Sequence, residues 1–204
     1  WAFMNYGFDY KNKSEEPPLS KEDEKYRYCI QLYHHAVEGL RVGGKTVLEV
    51  GCGRGGGASY IARYMSPKKM VGIDYSKNAI ALCNRIHNEK NLDFVEGDAS
   101  NMPFENKSYD IVVNVESSHC YPSIPQFLSE VERVLRPGGF FVCLFFLDRA
   151  LDELGAVVVP LFIGDLARRL PLGVDGGGVH ASLEEQTDDV FVPTAARGVK
   201  WRRT

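Results

Sequence analysis

No apolar run in this 204-residue chain approaches the ~20 residues that a membrane-spanning helix needs, so stable membrane insertion is not expected. No signal-peptide pattern is visible at the start. The chain begins at Trp1 rather than Met, so we expect a trimmed N-terminus. Cysteine is sparse and unpaired. Cys29, Cys52, Cys83, Cys120 and Cys143 form no C-x-x-C motif, and an odd, scattered set argues against a disulfide framework and for a reducing, cytoplasmic compartment. An excess of one charge is also missing. Lys and Arg number 24 against 27 Asp and Glu, and a net charge of −3 gives no footprint for nucleic acid or an anionic membrane. Internal repeats and low-complexity runs are absent. His34, His35, His87 and His180 share no metal-ligand spacing with acids or cysteines, so no metal is assigned. What remains is the composition of a globular enzyme, 44% apolar and 25% charged, with enough chain for one core.

The most informative stretch is Leu48-Glu49-Val50-Gly51-Cys52-Gly53-Arg54-Gly55-Gly56-Gly57. The apolar run 46–50 reads as a buried parallel strand. It ends in an acid and closely spaced glycines, and an apolar helical run over 58–65 follows. Glycine lets the backbone turn sharply and lets a ligand approach where a Cβ would intrude. Strand, glycine turn and helix build a nucleotide site in a doubly wound sheet. Gly51, Gly53 and Gly56 alone also satisfy the dinucleotide spacing G-x-G-x-x-G. Three neighbours favour another ligand. Glu49 stands two residues before the first glycine, where it can hold a polar ligand group. Residues 70–73 form a second strand ending in Asp74, about where an acid meets ribose hydroxyls. Residues 92–96 form a third, followed by Gly97-Asp98-Ala99, and this second acid suits an adenine amino group.

The ordered series Glu49-Val50-Gly51-Cys52-Gly53-Arg54-Gly55, Gly72-Ile73-Asp74, Gly97-Asp98-Ala99, Met102-Pro103-Phe104, Ser108-Tyr109-Asp110 and Arg136-Pro137-Gly138-Gly139 resembles the class I S-adenosylmethionine-dependent methyltransferases over roughly residues 1–149. Ser118-His119-Cys120-Tyr121-Pro122 and Gly55-Gly56-Gly57-Ala58-Ser59-Tyr60 resemble the group of phthiotriol and phenolphthiotriol dimycocerosate methyltransferases, which O-methylate a lipid-borne hydroxyl. The resemblance implies an α/β fold, a doubly wound and mostly parallel Rossmann-like sheet with helices on both faces. It implies S-adenosylmethionine as cofactor and S-adenosylhomocysteine as product.

The same resemblance places the cofactor against Glu49, Gly51, Cys52 and Gly53, then Asp74 and Tyr75, then Asp98 and Ala99, with Asn114 flanking it. Related enzymes carry an Asn-Tyr-Gly-aromatic segment as a lid, matched here by Asn5-Tyr6-Gly7-Phe8. Tyr6 could stack near the sulfonium, because a ring face attracts a cation. Asn5 could bind the amino-acid end. Met102 and Phe104 are either adenine-pocket walls or ordinary core.

Along the chain, Ser20 and the acids after it predict a capped helix with Tyr26, Ile30, Tyr33, Val37 and Leu40 on one face, ending at Gly43-Gly44. Ser76 caps a helix with Ile80, Leu82, Cys83 and Ile86 inward. Residues 111–115 are a fourth strand, 124–135 a helix stopped by Pro137-Gly138-Gly139, and 140–147 a fifth strand. Alternating strands and helices predict a parallel sheet covered on both faces.

We expect one methyltransferase domain over 1–204: a lid and helix over 1–45, a cofactor core over 46–149 and a divergent C-terminal part over 150–204. In that last part all ten Tyr and all nine Asn of the chain are missing. Residues 151–170 read as a helix, although Val157-Val158-Val159-Pro160 has strand character. Residues 175–178 read as a loop, and residues 183–191 weakly resemble a segment that precedes a final helix in such enzymes.

Methyl transfer from a sulfonium is an in-line displacement that needs positioning, exclusion of water and sometimes removal of a proton. His119 follows the fourth strand, at the sheet edge where ligands bind. Histidine titrates near neutrality as a residue type, so His119 could take a proton from an acceptor hydroxyl. Asp148, after the fifth strand, could orient it or assist. The expected reaction is methylation of a hydroxyl on a small, apolar or lipid-like molecule. The alternatives are C- or N-methylation, or a cofactor-binding module whose altered C-terminal part leaves no acceptor pocket. Neither the methyl acceptor nor the oligomeric state is fixed by these residues.

Overall fold

The computed structural model describes residues 2–145, 155–160, 172–175 and 178–181. Five parallel strands form the sheet: β1 (Thr46–Val50), β2 (Lys69–Asp74), β3 (Leu92–Glu96), β4 (Tyr109–Val115) and β5 (Leu135–Phe145). A sixth, β6 (Gly155–Pro160), pairs antiparallel with β5, and the order is β3-β2-β1-β4-β5-β6. Around it stand α1 (Arg27–Val37), α2 (Gly56–Tyr64), α3 (Lys77–Ile86) and α4 (Ile124–Val134). A separate hairpin pairs β7 (Leu172–Asp175) with β8 (Gly178–Ala181). This is the doubly wound α/β class that the sequence predicts.

Side chains alternate across the strands, and both faces are apolar. Val47, Met70, Ile111, Val113, Val142 and Leu144 point to one core with Ile30, Leu32, Val37 and Ile61. Leu48, Val50, Val71, Ile73, Val112 and Phe141 point to the other, against Phe127, Val131 and Val134 of α4. A sheet buried on both faces needs apolar residues at consecutive positions, which is why the strands read as unbroken hydrophobic runs. The strand order reverses between β1 and β4, and ligands bind outside the carboxyl ends of the strands at such a reversal.

Several expectations shift. Ser20 does not cap α1. Its hydroxyl donates to Asp23, which itself takes two bonds from Arg63 of α2 at 2.6 and 3.1 Å. The segment is spent on tertiary contacts, and a 3₁₀ turn at Glu24–Tyr26 leads into the helix. Ser76 does cap α3, accepting from the Ala79 amide at 3.3 Å. Only Ile80 and Cys83 of α3 are buried, and Ile86 is exposed, because α3 meets the sheet along a narrow seam. Pro137-Gly138-Gly139 does not separate α4 from the strand. β5 starts at Leu135, and the register slips between Tyr109 and Ile111. Gly138 is left-handed there (φ +75°), and Arg136 pairs with Asp110 at 2.9 Å, so the segment is a bulge. Within 151–170 the helix expectation fails at residues 155–160. Val157-Val158-Val159 is β-branched throughout, and it pairs with β5 instead. Of the loop expected over 175–178, Asp175 and Gly178 are instead the paired ends of β7 and β8, and residues 176–177 lie outside the described residues. Residues 183–191 lie outside the described residues.

Candidate functional site

The glycine turn after β1 is folded back on the end of β2. The amides of Gly51 and Cys52 both donate to the Ile73 carbonyl, at 2.8 and 3.0 Å. Gly51 has φ +74°, and a Cβ there would collide with the Ser117 and Tyr121 side chains overhead. Both the backbone shape and the crowding therefore demand glycine. The Gly53 amide donates to Asp74 Oδ2 at 2.8 Å, while Asp74 Oδ1 accepts from the Ser76 amide at 2.9 Å. Asp74 thus joins the glycine turn to the start of α3. An ionised carboxylate offers about four acceptor positions, so hydroxyl donors can still be received. Tyr75 beside it is exposed. Cys52 is buried beneath the turn against Cys83, and that contact, with burial, drives its thiol well up. Its side chain is core, and only its backbone shapes the turn.

Glu49 is fully buried on the α1 face of β1. Its Oε1 accepts from the Tyr33 hydroxyl at 2.6 Å. Its Oε2 is buried without a hydrogen-bond partner. Burial raises the carboxyl to about 8, opposed by the Tyr33 hydroxyl and by the backbone amide of Ala58. A buried acceptor left unpaired is costly, and a ligand amine or ordered water would relieve it. Tyr33 was legible only as a core position; the inward face of its helix was the available signal.

Asn114, at the end of β4, faces the other side of the sheet. Its amide nitrogen lies within hydrogen-bonding distance of the Val50 carbonyl (3.0 Å), the Ser117 hydroxyl (2.8 Å) and the Tyr121 hydroxyl (2.9 Å), and its Oδ1 accepts from Cys143 at 3.6 Å. It ties the β4 loop down over Gly51. Ser117 and Tyr121 belong to this knot, and neither was singled out from sequence. Asp98 is exposed, and its Oδ1 accepts from the Ser100 amide at 2.7 Å. Ala99 beside it is half-buried, and Met102 is buried in the α4-side core with Phe104 packed against it. His119 is exposed on the 3₁₀ turn Ser118–Cys120 that follows β4. Asp148 lies outside the described residues.

The N-terminal segment does cross this edge. The Gly56 amide donates to the Ala2 carbonyl at 3.1 Å, Phe3 is buried beside it, and Met4 lies about a van der Waals contact above Gly53. The first amide of α2, which a bound pyrophosphate would use, is therefore occupied by the chain's own arm. Tyr6 is exposed, and its backbone amide donates to Glu116 Oε2 at 3.2 Å. Asn5 does not reach the turn. It donates to the Cys29 carbonyl and accepts from the Gly7 amide, both at 3.1 Å, and so shapes the arm itself. Among the described residues no helix is long and apolar enough to cross a membrane.

Comparison with known proteins agrees with the fold. Residues 48–143 match the family model described as a methyltransferase domain. The chain is 52% identical over 145 residues to a fatty-acid O-methyltransferase of Mycolicibacterium smegmatis, covering 69% of this chain and 51% of that protein. It is 48% identical over 140 residues to a phthiotriol/phenolphthiotriol dimycocerosates methyltransferase of Mycobacterium tuberculosis, covering 69% and 52%. The chain thus spans about half the length of these curated relatives. Among solved structures it resembles the [4+2]-cyclase SpnF, with a TM-score of 0.58 at 23% identity over 71% of this chain and 52% of that one. It also resembles an S-adenosylmethionine-dependent methyltransferase of Mesorhizobium loti, with a TM-score of 0.51 at 20% identity over 56% and 52%. At those identities the likeness is one of fold. Over residues 48–143 the chain matches the methyltransferase-domain family, and its fold is that of the class I enzymes.

Proposed function

We propose that this chain carries the cofactor-binding half of an S-adenosylmethionine-dependent O-methyltransferase that acts on a hydroxyl of a small, apolar or lipid-like molecule. The observation that carries the reading is Glu49, whose buried Oε2 has no partner at the mouth of the glycine turn. A cofactor with an amino-acid end supplies the missing donor. When bound, S-adenosylmethionine provides a sulfonium methyl group for in-line displacement. Asp74 would receive ribose hydroxyls while holding the Gly53 amide. Asp98 and Ala99 would border the adenine, and Tyr75 is exposed at the same edge. The arm through Met4 and Tyr6 would exclude water from above. His119, exposed after β4, would take the proton of an acceptor hydroxyl. The apolar acceptor is inferred from the names of the two curated relatives. The domain division of 1–45, 46–149 and 150–204 is kept as part of this proposal.

A second reading has its own support, since one relative is named for fatty acids. A carboxylate acceptor is already ionised and needs no base. Calorimetric titration with S-adenosylhomocysteine and NAD tests the cofactor. We expect binding of the former, and NAD binding without response to S-adenosylhomocysteine would overturn the proposal. A methyl-donor assay on hydroxylated lipids beside fatty acids, read by product mass, separates the two acceptors.

A further inference from the structure

Glu116 is the first residue past β4, and it has no part in the transfer proposed above. Its backbone is left-handed (φ +50°), a conformation rarely adopted by side chains other than Gly, Asn and Asp. Such strain persists where surrounding contacts fix it, and it concentrates at functional sites. Here the Glu116 amide donates to the Leu144 carbonyl at 2.8 Å, locking the residue to the end of β5. Its carboxylate is thereby aimed at the arm. Oε2 accepts the Tyr6 amide, and Oε1 is buried with no hydrogen-bond partner. Burial raises the carboxyl to about 7, opposed by the Tyr6 amide. The titratable groups facing it are Cys29 and Tyr33 of α1; burial raises both, and the Glu116 charge adds to that, less for Tyr33, where Glu49 weighs more.

The arm has backbone anchors at either end. Ala2 is bonded to Gly56, and the Phe8 amide donates to the Tyr28 carbonyl at 2.9 Å. Between them, Met4 overlies Gly53 and Asn5 is tied to α1. Glu116 supplies the bond from the arm to the β4 loop, across the reversal point of the sheet. We propose that Glu116 is a positioning residue that clasps the N-terminal arm over the glycine turn through the Tyr6 amide, and that its unpaired oxygen receives a hydrogen-bond donor from the molecule bound beneath the arm. The inference rests on the reading of this edge as the cofactor and acceptor site.

Hydrogen–deuterium exchange of the arm amides tests the clasp without turnover. It is run on the whole chain with and without S-adenosylhomocysteine, for wild type, Glu116→Ala and Glu116→Gln. Loss of one hydrogen bond to a charged acceptor should speed exchange at the Tyr6 amide by ~10-fold or more in Glu116→Ala. Glu116→Gln keeps an acceptor oxygen and should restore most of the protection. S-adenosylhomocysteine should slow arm exchange in wild type and in Glu116→Gln, and much less in Glu116→Ala. Unaltered arm exchange in a folded Glu116→Ala protein overturns the clasp. Equal slowing by ligand in all three proteins overturns the role toward the bound molecule. If wild type binds no S-adenosylhomocysteine while Glu116→Ala still frees the arm, the clasp stands and the cofactor reading fails.

Discussion

At the scale of single residues, Asp74 and His119 of this edge do different work. Asp74 accepts two backbone amides from two different elements. Asp74→Ala should therefore weaken S-adenosylhomocysteine binding by ~1–3 kcal/mol, the scale of a lost bond to a charged group, and also loosen the turn. Asp74→Asn, compared by calorimetry, separates lost charge from lost geometry. His119 makes no such bonds to the turn. If the acceptor is a hydroxyl, His119→Ala should keep cofactor affinity and lose roughly 10²–10⁴ in turnover. An unchanged rate would assign His119 a structural place on the loop and favour the carboxylate acceptor.

At the scale of elements, the β4 loop and the glycine turn are packed as one unit. Asn114, Ser117 and Tyr121 share hydrogen bonds with one another and with the Val50 carbonyl, directly over Gly51. Gly51→Ala places a methyl into that knot. We expect ~1–2 kcal/mol for a left-handed residue with a Cβ and a further ~1–3 kcal/mol for overpacking. Urea titration should find this loss, and cofactor binding should fall with it. A variant as stable as wild type that still binds would mean the β4 loop moves away easily. The α4 side backs the same knot, since the Phe127 ring meets Tyr121 at 4.8 Å and Phe141 at 5.8 Å, both edge-on.

At the scale of the whole molecule, Glu49 makes stability depend on pH. Its carboxyl rises from an ordinary 4.5 to about 8 on folding. A group raised in this way favours the folded state most fully below its unfolded value. That contribution is lost as pH rises from about 4.5 through about 8. Thermal unfolding of the apoprotein across this window should reveal a decline on the order of a few kcal/mol. Glu49→Gln should remove the larger part of it while retaining an acceptor for Tyr33, leaving the smaller decline that the buried Glu116 carboxyl contributes between about 4.5 and about 7. A cationic ligand group would reverse the trend, because it favours the ionised form. S-adenosylhomocysteine should then bind more tightly at pH 8.5 than at pH 6, and equal affinity at both would separate Glu49 from the amino-acid end.

The sequence alone determined the alternation of strands and helices, the glycine turn and the places of Glu49, Asp74 and Asp98. These signals are local: apolar periodicity, residues that permit a left-handed turn, and an acid at a strand end. Ser76 as a cap was legible for the same reason. Tertiary structure decided the rest, because it depends on partners far apart in the chain. Glu116 acquires meaning only when an amide 110 residues away reaches it. Asn5 and Ser20 carry side chains suited to ligand binding and capping, yet contacts with α1 and with Asp23 claim them first. Glu49 and Asn114 both stand at the carboxyl ends of neighbouring strands, but the pleat turns them to opposite faces. The partners Tyr33 and Tyr121 follow from that parity together with the packing of α1 and the β4 loop, which no local pattern encodes.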